Sequence, residues 1–295
     1  MISVIICSAN TELLEQLKAN IGVTIGVPFE IIAIDNNIAK KSISAVYNEA
    51  AETAKFNCLC FLHEDIIIHT KGWGEKLFQL LADERIGLVG VSGAIYKSKY
   101  AGTWASCDKT LYRTHSIQRF KGLSEPVITS INPDNGAYAE VIVIDGVFMV
   151  TRKNVFDEIK FDEHYFTGFH AYDLDYSFQV GARYKVIVTF EILLEHFSAG
   201  QLNKQWLEAS NLLHQKWKKL LPVSSLTIDK NAASVSDYLA CSLVLMITIK
   251  HGGSKLAVIK HYLRLMTIFF RYNRLRHTRV AAEYLIAKRR NAKEN

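Results

Sequence analysis

The feature that most constrains this chain is an alternation of two periods across its first ninety residues. Apolar runs of strand length, Ser3–Cys7, Phe29–Ile34, Asn57–Leu62 and Ile86–Gly90, are separated by helix-length segments, Thr11–Asn20, Ile43–Lys55 and Trp73–Leu81. Strands that are apolar nearly throughout are covered on both faces, and helical connections between them imply right-handed crossovers. The expected fold class is therefore α/β: an open, mostly parallel sheet sandwiched by helices, with a helical C-terminal extension. From Tyr96 to Ala139 the pattern gives way to Gly, Ser, Tyr and charged residues, too long for a plain connection and suited to a substrate-facing insertion. Order resumes at Glu140–Ile144, followed by a helix from Thr151, a helical segment within His170–Arg183, a strand Lys185–Phe190 and a helix from about Leu202 to Leu220. Pro222 closes this unit, so the expected division is residues 1–222 and a basic helical extension, 223–295.

Only 20 of the 295 residues are Gly or Pro and 49% are hydrophobic, which excludes collagenous and low-complexity classes. The five cysteines are odd in number and mostly lie in apolar runs, as core thiols of a reducing compartment would. The chain opens directly on Met1-Ile2-Ser3-Val4 without a basic leader, and its longest apolar stretch, Tyr238 to Ile249, is shorter than the ~20 residues that span a bilayer. A cytoplasmic protein with a buried helix near residue 240 is the expectation.

In an open parallel sheet, ligands bind beyond the carboxyl ends of the strands. Here those ends read Ser8-Ala9-Asn10, Asp35-Asn36-Asn37 and His63-Glu64-Asp65. No glycine follows the first strand, which removes both the dinucleotide turn and the Walker A cradle. A rim of carboxylates would repel a bare diphosphate, so a divalent cation held by oxygen ligands has to lie between them, with Asp65 the best candidate ligand. Asp35 is placed to accept hydrogen bonds from a base or ribose, although an acid just after a strand also serves as a helix N-cap. Downstream, Tyr172-Asp173-Leu174-Asp175 opens a helix whose two acids point in different directions, so that one can face a cleft while the other caps or pairs. Glu195-His196 follows a later strand, and His196 could complete a metal site. Trp73 reads as a core anchor, whereas Trp104, in an irregular stretch, suits sugar contact. His63 and His69 do not have the i, i+4 spacing of a zincin pair.

Taken in order, Ile2–Ile6, Glu30–Asn36, Leu62–Asp65, Ile144–Met149, Tyr172–Asp175 and Glu195-His196 resemble the motifs of family-2 glycosyltransferases of GT-A fold, over residues 1 to about 220. The His-Glu-Asp form resembles a prokaryotic branch associated with capsule and other surface polysaccharides. The resemblance implies a nucleotide-sugar donor met by Asp35 and Glu64, and Mn²⁺ or Mg²⁺ bound by Asp65 and His196; Ser8, Asn10 and His63 on the same rim are further expected donor contacts. It also implies Asp173 as general base and Asp145 in the cleft of a glycan or lipid-linked acceptor, where Trp104 is an expected contact. Two positions depart from the family pattern: His63 stands where an Asp is usual, and Tyr172 replaces a Glu. The implied reaction is inverting transfer. The rivals are a nucleotidyltransferase, which usually has a Gly-rich first loop, and a GT-A scaffold that binds without catalysing.

Residues 226–295 carry 13 Lys/Arg against 4 Asp/Glu, whereas residues 1–225 carry 22 against 25. Leu256, Ile259, Leu263, Met266 and Phe270 form a helical apolar stripe beside Lys260, Arg264, Arg271 and Arg274, with Arg276, Arg279, Lys288, Arg289 and Arg290 following. This pattern suits docking on an anionic membrane at its inner face, or packing on the catalytic unit or a second copy in a homodimer. Nucleic acid is not an expected partner, since no recognised module accompanies the charge.

Overall fold

The first ninety residues fold as β1 (Ile2–Ser8), α1 (Thr11–Thr24), β2 (Phe29–Asp35), the single turn α2 (Asn36–Ala39), α3 (Ile43–Thr53), β3 (Cys58–Leu62), β4 (Ile66–Ile68), α4 (Trp73–Leu81) and β5 (Ile86–Gly90). This is the expected alternation, in a computed structural model that describes residues 1–120, 124–197, 200, 202–268, 278, 279, 281 and 282. Capping residues set the helix starts: the Asn10 side chain accepts from the amides of Glu12 and Leu13, and Ser42 accepts from that of Ala45.

The stretch expected to be irregular is mostly loop but carries short strands: after β6 (Ser92–Ala94) come β7 (Tyr96–Lys97), β8 (Tyr112–Gln118), β9 (Val127–Ile131) and β10 (Tyr138–Val141). Tyr, Thr, Ile and Val at alternate positions favour strand, but interspersed polar residues hide the period. β11 (Val143–Ile144) and β12 (Phe148–Arg152) follow, so Thr151, expected to open a helix, ends a strand, and α5 (Lys153–Glu158) begins two residues later. Then come α6 (Tyr172–Gly181), β13 (Lys185–Thr189), β14 (Leu194–His196), α7 (Lys204–Lys216), β15 (Val223–Ser224), α8 (Lys230–Lys250) and α9 (Lys255–Ile268).

The main sheet has seven strands in the order β10-β13-β5-β12-β3-β1-β2. β2, β1 and β3 are parallel, as are β13 and β5, while β12 runs antiparallel between β3 and β5. Strand alternation divides the core. Ile5, Phe61 and Met149 pack with Tyr47 of α3, Phe156 of α5 and Tyr176 of α6, whereas Val4, Ile6, Cys60 and Phe148 pack with Leu17 and Ile21 of α1 and Leu77 of α4. Trp73 is fully buried and donates to the Thr24 hydroxyl at 3.1 Å, the expected anchor. The cysteines are free thiols, four of them buried. A second sheet, β11-β6-β8-β14-β4 with β9 on the edge of β8, stands against the strand ends.

After Pro222 helices α8 and α9 continue on this body. β15 pairs with β7, and Asp237 in α8 accepts from the hydroxyls of Tyr96 (3.1 Å) and Ser98 (2.6 Å). By length and composition α8 could cross a membrane, but Ala240 and Leu245 are fully buried against protein. The buried face of α9 is Val258 and Leu265, with Tyr262 and Met266 packed beside them, while Leu256, Ile259 and Leu263 are exposed. Phe270, Arg271, Arg274, Arg276, Lys288, Arg289 and Arg290 of the expected stripe lie outside the described residues.

Candidate active site

Strand register builds the site. β1 and β2 align Ser8 with Asp35, and β3 ends beside them with His63-Glu64-Asp65. β14 pairs antiparallel with β4 so that His196 is opposite Ile66, which brings His196 alongside Asp65 from 131 positions away in the chain. The amide of His63 donates to the Val147 carbonyl at 3.2 Å, so the Asp145-Gly146 turn lies over the same strand end. α6 closes this side: Asp173 Oδ2 accepts from the Gly146 amide at 3.1 Å.

These elements enclose a cleft of about 500 Å³ lined by His63, Trp104, Asp145, Tyr172, Asp173 and His196 among others. Asp65 stands behind it. His63, Asp65 and His196 each offer a ligand atom within 4.8 Å of the others. His196 Nε2 is buried with no hydrogen-bond partner among the described residues, at 3.4 Å from Asp65 Oδ1. An orphaned buried nitrogen facing a carboxylate is what a metal ligand looks like without its ion. Gln118 explains its orientation. Its Nε2 donates to the carbonyls of His196 (3.1 Å) and Arg119 (3.3 Å), which turns Oε1 to accept from His196 Nδ1 at 3.3 Å. Nε2 therefore faces Asp65, free to lend its lone pair to a metal when the imidazole is neutral, the arrangement by which an outer partner fixes a metal-ligating imidazole. The residues fit a divalent cation.

The electrostatics follow from burial and neighbours. Burial pulls His63 below its ordinary value, helped by the adjacent His196. Burial also opposes charge on His196 and Asp65, but their mutual attraction wins, leaving His196 raised and Asp65 lowered. Asp173 is pushed up to about 7 by burial and by the negative charge of Asp145. Asp145 is itself held by the Trp104 indole at 2.5 Å and the Val147 amide at 2.9 Å.

The remaining expected residues form a shallower rim outside the cleft lining, and each has an internal partner. Glu64 accepts from the Ser8 hydroxyl at 2.6 Å and from the amides of Ala9 and Asn10 at 3.1 Å, tying the first loop to the third. Asn10 caps α1, and Asp35 caps α2 through the Asn37 amide at 2.9 Å. The second acid of α6, Asp175, is 1% exposed and turned inward, bonded to Lys216 at 2.9 Å and the Trp217 indole at 2.7 Å.

The sequence reading missed three things. It assigned His63 to donor contact, whereas the bend at Glu64-Asp65 between β3 and β4 brings His63 into the metal-type cluster. It had no signal for Gln118. It treated His63 and Tyr172 as separate departures, but His63 Nε2 and the Tyr172 hydroxyl are hydrogen-bonded at 2.8 Å. Gly146 makes room for this pair, since a Cβ there would fall 2.2 Å from that hydroxyl.

The sequence matches a family described as "Glycosyltransferase like family" over residues 3–218. No curated protein matches the chain. The crystal structure of GalNAc-T7 with UDP, GalNAc and Mn²⁺ superposes with a TM-score of 0.52 at 10% identity, over 74% of this chain and 48% of that one. The chain thus spans about half the length of that protein, and the likeness identifies the fold as GT-A. The crystal structure of A197 from STIV superposes at TM-score 0.39 and 14% identity, over 67% of this chain and 85% of that one, too loosely to carry an argument.

Proposed function

Since the chain belongs to this glycosyltransferase-like family, we propose that it transfers a sugar from a nucleoside diphosphate to a hydroxyl of a glycan or lipid-linked glycan, with inversion, in bacterial surface polysaccharide synthesis. The observation that carries this reading is the cleft that joins a metal-type cluster, His63, Asp65 and His196, to a separate carboxylate, Asp173, whose proton affinity suits neutral pH. When bound there, a divalent cation supplies charge neutralisation for the departing diphosphate. Asp173 accepts the proton of the acceptor hydroxyl, and a carboxyl that titrates near 7 is well matched to that task. The Gly146 amide holds the carboxylate in place through Oδ2.

Asp145 and Trp104 bound the acceptor side as a bonded pair. Alternate residues of and just beyond β8, Tyr112, Thr114, Ser116, Gln118 and Phe120, also line the cleft. Aromatic faces flanking hydroxyls suit the apolar and hydroxylated faces of a sugar. On the donor side, Glu64 acts through the first loop, which it holds beside Asp35. Nucleotidyl transfer lacks support, because no glycine-rich loop follows β1.

The test is release of nucleoside diphosphate from UDP-, GDP- and dTDP-sugars with and without Mn²⁺. Metal-stimulated release is expected. Donor binding without release from any of them would favour the scaffold reading and reject the enzyme.

A further inference from the structure

A second cavity, of about 460 Å³, lies beside the cleft, with α7 as the wall between them. Trp206 and Ser210 face the cleft, whereas Asn211, His214, Gln215 and Lys218 face the second cavity, as the helical period requires. Its other walls are the loop Lys99–Ala101, Cys241 and Val244 of α8, and Lys260, His261 and Arg264 of α9. Four cationic side chains therefore converge from three parts of the chain, and no carboxylate is among the described residues that line it. We infer that this cavity binds the phosphate-bearing headgroup of an anionic membrane lipid and so seats the C-terminal helices on a bilayer.

The charge pattern asks for an anion. Along residues 1–216 most cations that reach solvent have a carboxylate partner, for example the exposed Lys41, Arg85 and Lys160 and the half-buried Lys18, Lys76, Lys153 and Lys185. Among the described residues, Lys99, Lys218, Lys260 and Arg264 have none within ion-pair distance, and Lys99 and Arg264 instead lie over the Tyr100 ring at 5.3 and 5.5 Å. Beneath the cavity Lys97 is 1% exposed, and its ammonium is 3.2 Å from His214 Nε2. His214 donates through Nδ1 to the Ser210 carbonyl at 2.7 Å, which leaves Nε2 to accept from Lys97. The imidazole is thereby kept neutral, and among the described residues no carboxylate lies at bonding distance from the buried Lys97 ammonium. Burial, with Arg264 and Lys260 close by, holds His261 below its ordinary value, a mark of the same crowding.

The apolar surroundings identify the source of the phosphate. Leu256, Ile259 and Leu263 are 76%, 39% and 52% exposed on the same helix that contributes Lys260 and Arg264. An apolar ridge next to a cationic pocket suits acyl chains below a headgroup. A soluble phosphate ester would gain nothing from that ridge.

The test is co-sedimentation of the full chain with phosphatidylcholine vesicles, with and without phosphatidylglycerol, at low ionic strength. The Lys260→Gln/Arg264→Gln variant should bind the anionic vesicles about 30-fold more weakly, from roughly 1 kcal/mol for each cation. A control pair outside the cavity, Lys250→Gln/Lys255→Gln, should change binding less than twofold, and both variants should melt as the wild type does. Equal losses in the two pairs, or none in either, would overturn the pocket. Inorganic diphosphate that raises the melting temperature when no vesicle binding occurs would overturn the lipid source. The inference does not depend on the proposed reaction: metal-stimulated donor release in the Lys260→Gln/Arg264→Gln variant should equal that of the wild type whichever way the vesicle experiment falls.

Discussion

Two stretches of the strand-end rim contain the same residue types and use them differently. At the outer stretch, around Ser8, Asn10, Asp35 and Glu64, acceptor atoms are bonded to protein amides or hydroxyls. In the deep stretch, a buried imidazole nitrogen has no such partner among the described residues, and burial with the neighbouring Asp145 raises the Asp173 carboxyl to about 7. A polar group satisfied by its own backbone stabilises the fold, whereas one left poised in a cleft is available for chemistry. The contrast is sharpest within α6. Asp173 faces the cleft, and Asp175, two residues on and therefore about 200° around the helix, is locked to Lys216 and Trp217 beneath it.

The largest expected effect tests the deep stretch. Asp173→Asn should lower turnover about 10²–10⁴-fold with little change in donor affinity, measured by steady-state kinetics beside donor titration. Near-normal turnover would remove Asp173 from the role of base. In the wild type, kcat/KM should fall tenfold per pH unit below an apparent pKa of about 7, where the carboxyl takes up its proton. The sign for stability is opposite. A carboxyl whose folded pKa lies above its unfolded value of 3.8 favours the native state less as pH rises from there towards 7, so the Asn variant should melt above the wild type at pH 8.

Asp175→Asn should reverse that pattern. Removing one partner of a buried pair costs about 3–5 kcal/mol, which urea unfolding would report, while the folded fraction keeps its turnover. Equal loss of turnover in the two Asn variants would erase the distinction between the faces of α6.

Smaller effects probe the supports. Gln118→Leu should weaken Mn²⁺ binding about 10- to 100-fold, read by calorimetry without substrate, because it frees His196 to turn. Unchanged affinity would show that the imidazole is held by other means. Glu64→Gln should cost roughly 1–3 kcal/mol of stability through its weakened bonds to the first loop, with metal affinity retained. A loss of metal affinity without a loss of stability would move Glu64 from the outer stretch to the deep one.

Much of this was legible because it was local. The period of the apolar runs, Asn10 before α1, the acid after β2 and the divergent acids of α6 all express interactions within a few residues. The antiparallel β12 was hidden, since Phe148–Arg152 runs straight into α5 and its partners lie some sixty to ninety residues upstream. The β8–β9 hairpin was obscured by polar residues, which alternate because one face looks into a wet cleft.

The alternation of strands and helices over the first ninety residues and the acids at the strand ends were determined by the sequence alone, because burial on both faces leaves an apolar run few alternatives. Only the tertiary structure decided which of those acids face the cleft and which cap helices or tie loops together. It joined His63 to Tyr172 as one hydrogen-bonded substitution, brought His196 to Asp65, and gathered four cations around one cavity between α7 and α9. Partnership at long range depends on register and crossover geometry, and no window along the chain contains both members of such a pair.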